Sequence, residues 1–141
     1  MKKIKVVPDI NILVSAFILK VGKPREIFNK FIHEEIIFIL SEKIFEELIE
    51  VLKKRKFDLI SNEEKTDFIK RITELAEIVS PKERIEIIKQ DFTDNKIIEA
   101  AVEGNADYII TGDEHLLSLK EFRGIKILNA KEFLELFKDV N

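Results

Sequence analysis

The chain lacks cysteine and tryptophan altogether, and it contains only two histidines among its 141 residues. Without cysteine, disulfide bonds and thiolate metal sites are excluded, and two histidines are too few for the usual zinc sites. Any bound metal must therefore be held by oxygen atoms, which suits magnesium or manganese. Glycine occurs only four times and never in a loop that would cradle phosphates, which disfavours dinucleotide and ATP enzymes.

Long apolar runs are missing as well. No stretch reaches ~18 apolar residues and no signal-peptide pattern is present, so we expect a cytoplasmic protein with no membrane partner. The net charge of -3 excludes a broadly basic surface, so any nucleic acid must be bound by a local patch. The hydrophobic content of 45% is that of a folded protein, and the length predicts one domain over residues 1–141.

Two short apolar runs end at carboxylates. Asp9 ends the run Ile-Lys-Val-Val-Pro-Asp, and Asp113 ends the run Ala-Asp-Tyr-Ile-Ile-Thr-Gly-Asp. Buried strands of a parallel sheet have near-continuous apolar sequences, and open parallel sheets bind ligands outside the carboxyl ends of their strands. The two acids therefore predict an acidic crevice, and an acidic crevice predicts a bound cation.

Strand and helix signals alternate along the chain, which predicts an α/β fold with a mostly parallel sheet. The predicted strands are residues 3–7, 35–40, 76–80, 107–111 and 125–128, while 85–89 fit either a short strand or a loop. The predicted helices are residues 12–18, 24–33, about 42–54, a helix that includes 65–75, 93–103 and 130–137. Ser41 and Asn62 are predicted as helix N-caps, and Gly104 with Asn105 is predicted to end a helix.

Asp94 stands on the wrong face of its predicted helix for a solvent-exposed acid. At ~100° per residue it falls about 60° from Ile97, between Ala101 and Ile98 in the apolar stripe. A lone carboxylate facing the sheet costs several kcal/mol unless it is paired or coordinated. The helix dipole explains an acid in the first turn but does not explain this face, so the position favours a functional role.

The helix after Ser41 offers two further acids. Glu42 and Glu47 lie on opposite borders of its apolar stripe, whereas Glu46 and Glu50 fall on the solvent side. Either border residue could reach a site or extend to water. Periodicity alone does not choose between them.

Several polar residues near these acids have two interpretations each. Asn11, Ser15 and Thr111 could support a carboxylate site or serve only as caps and packing residues. The run Lys53, Lys54, Arg55 and Lys56 fits either a helix C-terminus or a patch that contacts RNA phosphates. For His115 a surface-loop position is favoured over contact with substrate.

Four segments together resemble a PIN domain, most closely the branch of toxin components of toxin–antitoxin pairs. They are Val-Pro-Asp-Ile-Asn-Ile-Leu-Val-Ser-Ala at 7–16, residues 41–52, Asp-Phe-Thr-Asp-Asn-Lys-Ile-Ile-Glu-Ala-Ala at 91–101, and Thr-Gly-Asp at 111–113. The likeness spans residue 4 to about 137. Ile10 replaces the usual threonine of the family and Pro8 a common leucine, and neither change removes a ligand.

The resemblance implies a PIN-like three-layer α/β/α fold with strand order 3-2-1-4-5. It implies metal ligands at Asp9, Glu47, Asp94 and Asp113, which selects Glu47 over Glu42. Its supporting positions are Asn11, Ser15 and Thr111, with Asp91 as an accessory acid. The activity implied is a ribonuclease dependent on Mg²⁺ or Mn²⁺, with RNA as substrate and an antitoxin protein or a second copy of the chain as candidate partners.

Two other classes compete with the nuclease. An aspartate-phosphoacceptor phosphatase or receiver domain would use Asp9, but its pattern needs a second aspartate where Asn11 stands, and it gives Asp94 no role. A non-catalytic protein-binding or RNA-binding module would keep the acids for structure. Only the nuclease combines a requirement for a divalent ion with an activity that needs no phosphorylated aspartate.

Overall fold

A computed structural model of the chain describes residues 2–88 and 94–140, and it confirms the predicted α/β class. A central six-stranded sheet is flanked by helices. The strands are β1 (Ile4–Pro8), β2 (Ile36–Ser41), β3 (Glu77–Val79), β4 (Tyr108–Ile110), β5 (Glu121–Phe122) and β6 (Ile125–Leu128). The helices are α1 (Ile10–Ile18), α2 (Lys23–Ile32), α3 (Glu42–Leu52), α4 (Asn62–Leu75), α5 (Asn95–Glu103), α6 (Glu114–Leu117) and α7 (Ala130–Val140).

The strand order is β3-β2-β1-β4-β6-β5. The five strands β3-β2-β1-β4-β6 match the predicted order 3-2-1-4-5, because β6 is the strand predicted as the fifth. Neighbouring strands among these five pair in parallel. The correction is β5, a two-residue edge strand that pairs antiparallel with β6. Arg123 and Gly124 join the two strands, and both have positive φ, as two-residue hairpin turns require. A strand this short has too few residues to show an alternating pattern.

Both faces of the sheet are covered. Successive strand residues point to opposite faces, and on β2 the Phe38 ring stacks on Phe31 of α2 with ring centroids 4.2 Å apart. The next residue, Ile39, contacts the end of α5 on the other face. The α2 and α5 helices therefore lie on opposite sides of the sheet, which gives the three layers that the family resemblance implied.

The end of α5 lies at Gly104 and Asn105, as predicted, and the structure shows what each of the two residues does there. Gly104 has φ -87, so it does not use glycine's access to positive φ, and Asn105 takes the left-handed conformation instead, with φ 53. Gly104 is needed for space, because a Cβ there would lie 2.7 Å from side-chain atoms of Ile39. The glycine thus lets α5 approach the sheet closely.

The helices α3 and α4 each begin after a serine whose side chain caps the first turn. Ser41 Oγ accepts the Ile44 N–H at 3.1 Å, as predicted, but α4 is capped by Ser61, whose Oγ accepts the Glu64 N–H at 3.1 Å. Asn62 is therefore the first helical residue and the prediction that it caps α4 was wrong.

Residues 85–88 form neither helix nor strand, and residue 89 lies outside the described part of the chain. In residues 2–88 and 94–140 no helix combines the length and apolar character that crossing a membrane needs.

Candidate active site

The centre of the site lies at the carboxyl ends of β1 and β4, the two neighbouring strands between which the strand order switches direction. From β1 the chain proceeds to β2 and β3 on one side, while β4 and β6 lie on the other side. The Asp9 N–H donates to the Ile110 carbonyl at 2.9 Å, which extends the β1–β4 pairing to the carboxyl edge. Crevices at such switch points are the usual ligand sites of open α/β sheets. The side chain of Asp9 is 8% exposed at this crevice.

Thr111 links two of the acids. Its side chain is fully buried. The hydroxyl donates to Asp9 Oδ2 at 2.7 Å and accepts the Asp113 N–H at 3.0 Å. Thr111 therefore orients the carboxylate that follows β1 and the backbone that follows β4. The Thr111 hydroxyl thus contacts a carboxylate of the proposed site and also caps the backbone at Asp113.

Asp113 also has a local structural task. It is the N-cap of α6, and its Oδ1 accepts the N–H groups of His115 at 2.7 Å and Leu116 at 3.4 Å. The other carboxylate oxygen is not used in this cap. Asp113 is half-buried, so it combines a fixed backbone position with access to the crevice.

Asp94 is the N-cap residue of α5 and is 7% exposed. The helix packs on β1, β2 and β4, so the acid is held against the carboxyl edge of the sheet. The adjacent Asn95 is also buried, and its side-chain oxygen accepts the N–H groups of Ile87 and Ile88 at 3.1 and 2.8 Å. Asn95 thereby ties residues 85–88 to the start of α5, a role that sequence reasoning missed.

The two candidate acids of α3 go to different places. Glu47 reaches the crevice and forms an ion pair there with Lys96 of α5. Glu42 is exposed, accepts a hydrogen bond from Ser80, and lines an adjoining cleft beside α3 instead of the acid cavity. The structure thus brings Glu47, and not Glu42, to the other acids.

All four proposed acids line one cavity of about 270 Å³. Its polar lining is Asp9, Asn11, Glu47, Lys54, Lys56, Asp94, Lys96 and Asp113. Of the proposed supporting residues, Ser15 does not line this cavity, and Lys53 and Arg55 do not either. Lys53 instead pairs with Glu50. Asp91 lies outside the described residues.

His115 lies closer to the acids than a plain surface position would suggest. One ligand atom from each of Asp94, Asp113 and His115 lies within 4.8 Å of the other two. The imidazole Nδ1 is 3.7 Å from Asp113 Oδ1, and the ring remains half-exposed. The α6 turn produces this approach, and the sequence analysis did not predict that turn.

Burial raises the pKa of Asp9 above its ordinary value of 3.8. The negative charge of Asp113 raises the pKa of Asp9 further, whereas hydrogen bonds from Thr111 and from the backbone of Ile10 and Asn11 lower it. The net rise means that the protein without an ion pays to keep this carboxylate charged. A cation in the cavity would remove that cost.

The fold and the site together define a parallel α/β protein with a carboxylate cleft at its switch point. The chain belongs to the PIN domain family, whose model matches residues 5–115. PIN domain proteins are in general nuclease hydrolases, and the acidic group of this chain is of a kind that could bind a metal ion.

Two further proteins are similar to this chain, one in sequence and one in fold. The chain is 33% identical to the uncharacterized protein MJ1680 of Methanocaldococcus jannaschii, over 96% of this chain and 93% of that one. The crystal structure of PAE2754 from Pyrobaculum aerophilum is similar with a TM-score of 0.62 at 14% identity, over 97% of this chain and 90% of the other. At that identity the second likeness concerns the fold alone.

Proposed function

We propose that the chain is a divalent-metal-dependent endoribonuclease that hydrolyses RNA phosphodiesters in the cleft of Asp9, Glu47, Asp94 and Asp113. One observation carries the proposal: Asp9 and Asp94 are both more than nine-tenths buried and line the same cavity as the other two acids. Burying carboxylates side by side costs several kcal/mol unless positive charge compensates them. Such a cost is expected at a functional site and not in a structural core.

The residues present fit Mg²⁺ or Mn²⁺. The four carboxylates offer hard oxygen ligands, which both ions prefer, and the chain has no thiolate. The imidazole of His115 would suit Mn²⁺ better than Mg²⁺. When bound, the ion would activate the attacking water and stabilise the charge that develops on the phosphate.

The remaining polar residues of the cleft have roles that follow from their positions. Thr111 holds the Asp9 carboxylate in one orientation, so that this acid does not reorganise during the reaction. Lys54 and Lys56 add positive charge to the lining of the acid cavity, where Lys96 also lies. We assign them to the phosphates of bound RNA, and we leave Lys53 and Arg55 out of this contact. The side chains of Lys54 and Lys56 are exposed, so they can follow a flexible strand of RNA.

Glu47→Gln and Glu42→Gln form a matched pair that tests the proposal, because both residues belong to α3 and only Glu47 lines the acid cavity. The purified chain is assayed on labelled RNA and DNA oligonucleotides with Mn²⁺, with Mg²⁺ and with EDTA. We expect metal-dependent cleavage of RNA, lost in Glu47→Gln and kept in Glu42→Gln. Cleavage that survives EDTA, or that depends on Glu42 and not on Glu47, would reject the site.

The same assay addresses the competing class. A non-catalytic module on this fold would bind RNA or protein without cleaving RNA under any metal condition. A role as the toxin of a toxin–antitoxin pair is the finer part of the proposal, and it is supported by the resemblance of the sequence to that branch of the family. Growth arrest on expression in a host cell, relieved by co-expression of the neighbouring reading frame, is the expected result.

A further inference from the structure

Lys96 occupies the acid cleft with its positive charge. Its ammonium group pairs with Glu47 Oε2, and the two side chains are only 22% and 37% exposed. Among the Lys and Arg ion pairs of the described residues, this is the one whose members both line the acid cavity. The lysine therefore stands where a bound cation would compensate the carboxylates.

The location of Lys96 in its helix makes the placement unusual. Lys96 is the second residue of α5, and the N-terminal turn of a helix disfavours cations because the helix dipole is positive there. The acids of the cleft offset this local penalty. The helix itself therefore does not account for a lysine at this position.

The position of Lys96 also relates it to a substrate. Lys96 lines both the acid cavity and the adjoining cleft of about 940 Å³ between α3, residues 80–86 and α5. It therefore stands where the two clefts meet. A strand of nucleic acid that leaves the acid cavity in this direction would pass the lysine, and its phosphates would find a cation there.

We propose that Lys96 is a built-in counter-cation of the acid cleft, which leaves Glu47 when a divalent ion binds and then contacts a phosphate of the RNA. The contact between Lys96 and an RNA phosphate rests on the proposed function. The competition between Lys96 and the divalent ion concerns only the protein and the ion. A lysine and a divalent ion that compensate the same carboxylates compete for them, so removing the lysine strengthens ion binding.

The proposal predicts opposite effects of one substitution. Lys96→Met should bind Mn²⁺ about tenfold more tightly than the wild-type chain, since contacting charges typically couple by this order. At saturating Mn²⁺ the same variant should cleave RNA at least about tenfold more slowly, because a contact that positions the phosphates of the RNA for the reaction is gone. Lys96→Arg should restore much of the cleavage rate. A merely structural lysine would not give tighter ion binding together with slower cleavage.

Lys5→Met is the matched control. Lys5 pairs with Glu77 at 3.4 Å, with side chains 30% and 42% exposed, and it lies on β1 away from the acid cavity. The experiment is isothermal titration of the full chain with Mn²⁺ for the wild type, Lys96→Met and Lys5→Met, after removal of metal with EDTA and dialysis. We expect the control to bind Mn²⁺ as the wild type does. Lys96→Gln replaces Lys96→Met in the comparison if the methionine variant does not fold.

The possible outcomes test the counter-cation role and the phosphate contact of Lys96 separately. Weaker or equal Mn²⁺ affinity in Lys96→Met would overturn the counter-cation. Tighter affinity with unchanged cleavage at saturating Mn²⁺ would overturn the phosphate contact. If the wild-type chain binds Mn²⁺ but cleaves no RNA, the proposed function fails, and the titration still decides the competition between Lys96 and the ion.

Discussion

Replacing Thr111 by valine should loosen the acid cleft and lower the stability of the protein at the same time. The threonine side chain is fully buried and takes part in two hydrogen bonds, one to Asp9 Oδ2 at 2.7 Å and one from the Asp113 N–H at 3.0 Å. Valine keeps the β-branched shape and nearly the same volume, so packing is conserved. What is lost is the hydroxyl alone.

The magnitude follows from these two bonds. A hydrogen bond to a charged group contributes about 1.5–3 kcal/mol, and leaving the part-buried Asp113 N–H without a partner costs at most about 1–3 kcal/mol. Because both effects share one hydroxyl they do not simply add, and we expect a loss of about 2–4 kcal/mol. For a chain of this length each kcal/mol corresponds to about 3–4 °C, so Tm should fall by about 6–16 °C.

Chemical denaturation in EDTA measures the effect, with Thr73→Val as control. Thr73 also donates a hydrogen bond, to the Ile69 carbonyl at 2.8 Å, but it lies exposed on α4, so its loss should change stability by less than about 0.5 kcal/mol. The effect of Thr111→Val should also depend on pH. The Thr111 hydroxyl lowers the pKa of Asp9, so its contribution is largest where Asp9 is ionised and shrinks as pH falls through that pKa.

Thr111→Ser gives a second check, since it keeps the hydroxyl and loses one buried methyl group, at about 1 kcal/mol. The reasoning is refuted if Thr111→Val is no more destabilising than Thr73→Val. It is equally refuted if the serine variant is as unstable as the valine variant, because the methyl group and not the hydroxyl would then be responsible.

Three further predictions concern single sites. Asp9→Asn should raise the stability of the metal-free protein, because burial raises the pKa of Asp9 above 3.8. The charged Asp9 carboxylate therefore destabilises the fold fully at a pH above its folded pKa and not at all below its unfolded pKa. Denaturant titrations in which the gain from Asp9→Asn does not grow with pH would contradict this. Lys54→Ala with Lys56→Ala should flatten the log-log salt dependence of RNA binding by about one unit for each lost contact, with Arg55→Ala unchanged. Gly104→Ala should destabilise the fold by about 1–3 kcal/mol through overpacking against β2, and a neutral melt would show that the sheet accommodates the methyl group.

The sequence by itself determined the fold class and the place of the site along the chain, whereas the order of the main strands followed from the resemblance to PIN domains. The apolar runs before Asp9 and before Thr111-Gly-Asp113 predict buried parallel strands, and parallel strands place their carboxyl ends at one edge. The cap at Ser41 and the apolar face of α5 that includes Asp94 were also local properties. Short-range periodicity is sufficient for such features because each of them lies within one element.

The tertiary structure alone decided which side chains meet. Glu42 and Glu47 both lie at the border of the same apolar stripe, and periodicity did not choose between them. The family resemblance selected Glu47, and the packing of α3 beside α5 brings Glu47 to the cleft. Lys96 and His115 join the acids for the same kind of reason, since the direction of a long side chain or a short turn depends on neighbouring elements. Helical periodicity gives angles within a helix, whereas distances between side chains of different elements depend on how those elements pack against each other.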